Sequence, residues 1–314
     1  MLNKYIGSFF IQKNNAPAIL SLLMAVIAMA WIAIFLRFLE EEISSFAAAF
    51  NGVLFATVFL GIWNGIQSQT RQSSPDKTSP TQIFTSWILL QLIIAGICFA
   101  GDQILWAWSL TKTSVANSTL LTNLNPLWTT FLGWSIWKRY FDNKFLIGMV
   151  IAMIGVFLIG VEDLQIFTGN LQGDGTAIAA SVCFSVYLLI VEKLRESLSS
   201  ETILFGTSLF STLSILPIIL IMGEQVFPHS LQSWIFVILL GFICQVLGQG
   251  LVNYCLKTLS SGFVAIALLL QPIITAILAW LIFSEKLSLS NSVAFAVVLL
   301  GIYLAQSSSS AVKE

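Results

Sequence analysis

Long apolar runs of roughly 20 residues, separated by short polar turns, occupy this chain almost from end to end. A helix needs about 20 such residues to cross a hydrocarbon layer of ~30 Å. Ten segments qualify, at about 17–36, 44–64, 86–110, 113–137, 144–161, 175–194, 202–222, 232–256, 262–283 and 289–306. Of the 314 residues, 57% are hydrophobic and only 9% charged, so too few polar side chains remain to cover a soluble fold. The chain is therefore expected to be an all-α membrane protein with ten transmembrane helices.

The same composition excludes several activities. A net charge of −1 gives no basic footprint, so no nucleic-acid partner is expected. The four cysteines (Cys98, Cys183, Cys244 and Cys255) lie inside apolar segments without metal-type spacing, and the one histidine, His229, follows Pro228 in a short turn. No Walker-type phosphate loop occurs. No metal, cofactor or catalytic residue is expected, and the chain is read as not an enzyme. Near the N-terminus, Ala28-Met29-Ala30 resembles a signal cleavage site, but the apolar run continues from Pro17 to Leu36 and reads as an uncleaved first helix.

Basic residues set an orientation. With a cytoplasmic N-terminus, the inner segments hold eleven (Lys4, Lys13, Arg71, Lys77, Lys138, Arg139, Lys144, Lys193, Arg195, Lys257 and Lys313) and the outer loops three (Arg37, Lys112 and Lys286). That split supports an even helix count with both termini cytoplasmic. The polar stretch 67–82, which carries two prolines, reads as a flexible cytoplasmic loop, and 307–314 as a disordered C-terminal tail.

The chain repeats itself. Shifted by 146 positions, 110–137 falls on 256–283, pairing Gln103 with Gln249, Ser114 with Ser260, Pro126 with Pro272, Trp134 with Trp280 and Gly155 with Gly301. The first two helices of each half match near an offset of 155. The units are 17–161 and 175–306, and an odd number of helices in each inverts the second copy. Two inverted five-helix repeats are the expected architecture.

A short polar turn, a proline-bearing helix and a glycine-bearing helix, present twice and clearest over 103–160 and 249–306, resemble the EamA family of the drug/metabolite transporter superfamily. The resemblance implies a transporter, and relatives of that family typically export amino acids, metabolites or toxic compounds. Two positions depart from the pattern. Asn51 stands where the family often has a basic residue, and Lys138-Arg139 replaces the acidic residue after the fourth helix, whose counterpart in the second half is Glu285.

Among fifteen acidic residues, Asp102 alone lies well inside an apolar segment. A carboxylate near the midplane costs about 2.5–3.5 kcal/mol on insertion scales, so it should face the bundle interior beside a partner. Gln91, Cys98, Asp102 and Ser109 share one helix face, with Trp106 a turn beyond. Ser118, Thr122, Asn125 and Thr129 make a second polar face, and Gln245, Gln249 and Asn253 a third. Lipid satisfies none of these groups, so they should line helix interfaces or a wet path. Asp102, Gln103, Trp106, Thr122, Asn125, Gln245, Gln249, Asn253 and Gln271 are the candidate substrate- or proton-binding residues. Two roles stand open for Asp102: binding a substrate amine or coupling proton, and tying helices together. Pro126 and Pro272 are candidate hinges, freeing the carbonyls of Thr122 and Leu268.

The function expected is a secondary transporter that exports small metabolites, such as amino acids or amphiphilic compounds, by alternating access across the bacterial inner membrane. The alternative is a membrane-embedded non-transport protein, either a structural subunit or an intramembrane enzyme. The partners expected are a small-molecule solute, the lipid bilayer and protons as coupling ion; the sequence sets no oligomeric state. A reporter enzyme fused after Glu314 should be active only on the cytoplasmic side, and external activity would break the ten-helix count.

Overall fold

A computed structural model of the chain describes residues 2–72, 85–160, 171–284 and 289–313. Among these residues the structure is all helical, with no strand and a single isolated β-bridge. The helices are α1 (Leu2–Leu39), α2 (Ser45–Gln72), α3 (Ser86–Lys112), α4 (Val115–Thr122), α5 (Asn125–Trp137), α6 (Asn143–Gly160) and α7 (Leu171–Leu194). They continue with α8 (Ser200–Met222), α9 (Leu231–Leu239), a π-helical stretch (Leu240–Gln249), α10 (Gly250–Cys255), α11 (Ser261–Leu268), α12 (Gln271–Phe283) and α13 (Leu289–Gln306). Helix is the expected outcome, because an apolar span must satisfy its backbone internally where water is absent.

Seven described spans are long and apolar enough to cross a membrane: Asn15–Leu39, Ser45–Gln67, Ser86–Lys112, Leu171–Leu194, Ser200–Met222, Leu231–Cys255 and Ser261–Phe283. Asn143–Ile159 and Ser290–Gln306 are shorter apolar helices. Large apolar side chains point away from the bundle, among them Ile221 (86% exposed), Trp87 and Leu281, as a lipid-facing surface requires.

Two of the expected helices are not continuous. The segment 113–137 breaks at Asn123–Leu124 into α4 and α5, and 262–283 breaks at Leu269–Leu270 into α11 and α12. The cause is local. Pro126 and Pro272 sit in the first turn of α5 and α12, where the missing N–H goes unneeded, but their rings cannot follow an unbroken helix. The preceding helices therefore close with tightened turns, such as Leu124 N–H to Leu121 O at 3.3 Å and Leu270 N–H to Ala267 O at 3.0 Å.

Features recur at the sequence offsets. Ser114 and Ser260 cap α4 and α11 by accepting the N–H three residues on. Lys138 (φ 53°) and Ser284 (φ 56°) both end their helices in the left-handed conformation and stand 146 positions apart. Packing follows the same exchange of halves: α7 lies on α3, α4 and α5, and α1 lies on the π-helix and α10, α11 and α12. Where a helix meets its own counterpart, α2 packs on α8 through the Thr57–Thr212 hydroxyl pair, 3.2 Å apart and 155 positions apart.

Loops sort onto two faces. On one, the Glu42 carboxylate accepts the N–H groups of His229 and Ser230, Asn51 donates to Val226 O, and Thr113 donates to Asp174. On the other, Arg139, Asp142, Glu192, Ser260 and residues 307–313 form one network.

Two expectations on the termini of segments change. Helix α2 runs on to Gln72, so the first part of 67–82 is helix, and 73–84 lies outside the described residues. Residues 307–313 are seated, not disordered. Ser309–Ala311 form a 3-10 turn, Leu259 bridges Val312, Ser260 N–H donates to Ala311 O, and Ser308 and Ser309 donate to the Asp142 carboxylate. A serine run scores as low complexity, but its small hydroxyls suit a segment that hydrogen-bonds against a backbone edge. Burial pushes the Asp142 carboxyl up, yet hydrogen bonds from Ser308, Phe145 N–H and Ser309 together hold it below its ordinary value.

Helices α6 and α13 cross at glycines. A Cβ on Gly155 would lie 2.6 Å from Val298 N, and one on Gly301 would strike the Ala152 backbone. Gly301→Leu should therefore cost about 1–3 kcal/mol by overpacking. It should lower the thermal midpoint in detergent, whereas Gly175→Ala, with open space around it, should leave the midpoint unchanged.

Candidate functional site

The polar residues gather along the inner faces of α3, α5, α7 and the π-helix with α10. Tyr187 of α7 is fully buried among them, and its hydroxyl donates to Asn253 Oδ1 at 3.0 Å. Thr207 and Gln249 face the same hydroxyl. The Tyr187 ring packs on Phe99 of α3 (centroids 4.9 Å apart) and on Phe184. Neither amide atom of Gln249 has a partner, nor does Asn253 Nδ2, although both side chains are almost fully enclosed. Unpaired amides in an enclosed interior cost free energy, so each calls for a polar partner such as a water, an ion or a ligand, or for a closer approach to the Tyr187 hydroxyl. Their placement follows from sequence spacing: Gln245, Gln249 and Asn253 recur every fourth residue. The π-helical stretch shifts that stripe from a regular α-helical path, a distortion frequent at functional sites.

Asp102 lies one turn beyond Phe99 on α3 and is partly enclosed. Its Oδ2 accepts from Gln103 Nε2 at 3.4 Å, and the adjoining Gly101 faces Cys183 Sγ across the α3–α7 contact. The acid and its neighbouring amide are thus hydrogen-bonded to each other beside the α3–α7 contact. Trp106 supplies its carbonyl to Ser109 Oγ, which also pairs with Ser118 Oγ of α4.

The helix breaks hold the remaining candidates. The Asn125 carbonyl accepts from Thr129 Oγ1 at 2.7 Å and from Ser185 Oγ of α7 at 3.0 Å, while Asn125 Oδ1 and the indole N–H of Trp128 have no partner. At the second break, Gln271 Nε2 donates to Met29 O at 3.2 Å and Thr275 Oγ1 to Ala30 O at 3.1 Å, both on α1. Thr122 is spent locally, because its hydroxyl donates to Ser118 O and Thr119 O inside α4. Gln245 is buried with its side chain beside Gly52 of α2, away from the Tyr187 group.

Besides Tyr187, three residues outside the sequence shortlist belong here: Arg195, Glu192 and its partner Arg139. Arg195, just past α7, donates from Nε to Asn253 O at 2.8 Å and from Nη1 to Leu198 O at 2.6 Å. Glu192 is fully buried and pairs with Arg139. Sequence reading treats these as ordinary charges at helix ends, and no local pattern distinguishes them from solvated ones. A cavity of about 420 Å³ opens beside Arg195, lined also by Glu196, Ser199, Tyr254 and Lys257.

Tyr187→Phe should leave Asn253 Oδ1 without its donor and cost about 1–3 kcal/mol. Thermal unfolding in detergent checks this, against Tyr303→Phe on an exposed face as a neutral control.

The sequence profile of the EamA-like transporter family matches residues 16–161 and again 171–306. An uncharacterized transporter of Archaeoglobus fulgidus is 23% identical over 294 residues, which covers 90% of this chain and 96% of that protein. UDP-galactose transporter 1 of Arabidopsis thaliana is 22% identical over 217 residues, covering 65% of this chain and 62% of that one. A crystal structure with 15% sequence identity superposes with a TM-score of 0.76, covering 93% of this chain and 97% of the other.

Proposed function

Since the chain belongs to the EamA-like transporter family, we propose that it is a secondary transporter exporting small metabolites across a cytoplasmic membrane by alternating access. In this reading the ten helical segments all cross, with α4–α5, α9–α10 and α11–α12 each counting as one, and both termini are cytoplasmic. The two halves are inverted repeats about an axis through the Thr57–Thr212 contact. The observation that carries the proposal is the pair of broken helices, each with its proline and amide at corresponding positions, lying on α7 and α1 respectively. Broken spans end carbonyls and N–H groups inside the membrane, and inverted-repeat transporters use such ends as binding sites and hinges. Pro126 and Pro272 are the hinges.

The binding residues proposed are Asp102 with Gln103, and Asn125, Gln249, Asn253 and Gln271, with Tyr187, Phe99 and Trp106 as walls. Asp102 takes either a substrate ammonium group or the coupling proton. No lysine or arginine lies well inside the apolar segments. The Arg195 guanidinium is engaged by the carbonyls of Asn253 and Leu198 and that of Arg139 by Glu192, so a diphosphate-bearing cargo, such as the UDP-galactose named for the Arabidopsis relative, would have to displace these bonds to gain a cationic partner. Amines, amino acids and uncharged amphiphiles fit better. The rival reading, a non-transport membrane protein, leaves the unpaired amides around Tyr187 without a use.

The test is counterflow in proteoliposomes with a panel of amino acids and amphiphilic amines. Exchange of at least one solute is expected, and none across the panel would sink the transport reading. Asp102→Asn keeps the side chain's size and removes its titration. It should abolish gradient-driven uptake while retaining exchange if Asp102 carries the proton, and should weaken affinity at every pH if it binds the amine. Unchanged affinity and pH profile would leave Asp102 a packing role alone.

A further inference from the structure

The two halves are not packed alike around their broken helices, and the difference falls on one face. On the face rich in basic residues α5 packs against α11. Their counterparts 146 positions away, α12 and α4, share no comparable interface among the described residues. All eight residues of α11 are buried, whereas Ile273 alone is buried in α12. Gly262 in the first turn of α11 is pressed against Phe145 and Phe141, with 3.1 Å from its would-be Cβ to the nearer ring.

A charge pair lies across this closed contact. Arg139, in the turn after α5, places Nη1 2.5 Å from Glu192 Oε2 at the end of α7. Ser261 N–H, the first of α11, donates to the same oxygen at 3.3 Å. Three elements therefore meet at one carboxylate that is 1% exposed, and Glu192 Oε1 has no partner. The C-terminal segment straps the group from outside. Lys313 Nζ donates to Glu192 O and pairs with Glu196 Oε1 at 2.9 Å, while its N–H donates to Thr258 O. Lys193 first and Lys313 second hold the Glu196 carboxyl below its ordinary value, so the strap is charged at neutral pH.

We infer that Arg139, Glu192 and Ser261 form the inner gate of the transport path, with residues 307–313 as its strap, and that the structure is the state closed toward the cytoplasm. Breaking one carboxylate's contacts removes at once the polar tie among the ends of α5, α7 and α11. A buried ion pair suits such a gate, because the closed state satisfies both charges and in the open state water does so, leaving a modest net difference between large terms. In the sequence, the repeat offsets carry Arg139 onto Glu285 and Glu192 onto Arg37, so the corresponding positions hold the opposite charges. The inference rests on the transport reading, but its test needs no substrate.

The reporter is Ser185→Cys in a background lacking Cys98, Cys183, Cys244 and Cys255. Ser185 is fully buried two turns inward from Glu192 on the same face of α7 and bonds to Asn125 O. Inverted membrane vesicles would be treated with a membrane-impermeant maleimide. With the gate intact the reporter should label slowly. Glu192→Gln or Arg139→Gln should raise the labelling rate on the order of tenfold, the effect of about 1.4 kcal/mol lost from closure. Arg139→Lys, which keeps the charge, should restore most of the protection. A chain ended at Ser307 leaves the ion pair in place and should label at an intermediate rate, which provides a reading if either core variant does not fold. Labelling equal to the parent in folded Glu192→Gln, or in the shortened chain, would overturn the gate assignment whatever the counterflow result.

Discussion

No water is available inside a bilayer to hydrogen-bond a backbone group, and this constraint governs the rest of the molecule. It makes every crossing segment a helix and leaves interruption as the one costly freedom. The chain interrupts its helices at Asn123–Leu124 and Leu269–Leu270, each time just before an amide residue and a proline. Each interruption is covered by a different neighbour: the Ser185 hydroxyl of α7 at the first, the α1 carbonyls of Met29 and Ala30 at the second. Covering the two breaks with elements from the opposite half adds to the α6–α13 and α3–α7 interfaces that tie the halves to each other.

That arrangement separates two kinds of buried polarity. One kind is satisfied and structural, such as Thr122 within α4 and Ser211 on Gly96 O. The other kind is enclosed but incompletely paired: Gln249, Asn253 Nδ2, Asn125 Oδ1 and Trp128 Nε1. Amide stripes look the same in a sequence whichever kind they are. Only the neighbours decide, because a partner on another helix is a matter of distance and direction.

The charges divide similarly. Eleven basic residues read as markers of one membrane face, and for exposed Lys257 nothing more is required. Arg139 and Arg195 do more. The first neutralises a fully buried carboxylate and the second holds the backbone of Asn253, so both link helix ends that would otherwise splay. Since neither has a distinctive sequence context, their roles depend on the approach of segments more than 50 positions apart.

The sequence by itself determined the solvent, the helical class, the positions of the apolar segments, the internal repeat and the family resemblance. Each follows from local composition, period or fixed offset, which need no knowledge of the neighbours. It also marked Asp102, because one acid in a long apolar run is conspicuous. The tertiary structure decided that the proline-bearing segments are broken, that the serine-rich C-terminus is seated against Ser260 and Asp142, and that Tyr187 rather than Asp102 centres a fully buried polar group. It also decided that α5 meets α11 while α4 and α12 stay apart. Two halves with matching sequences cannot announce which face is shut, since that asymmetry arises from how they pack and not from what they contain.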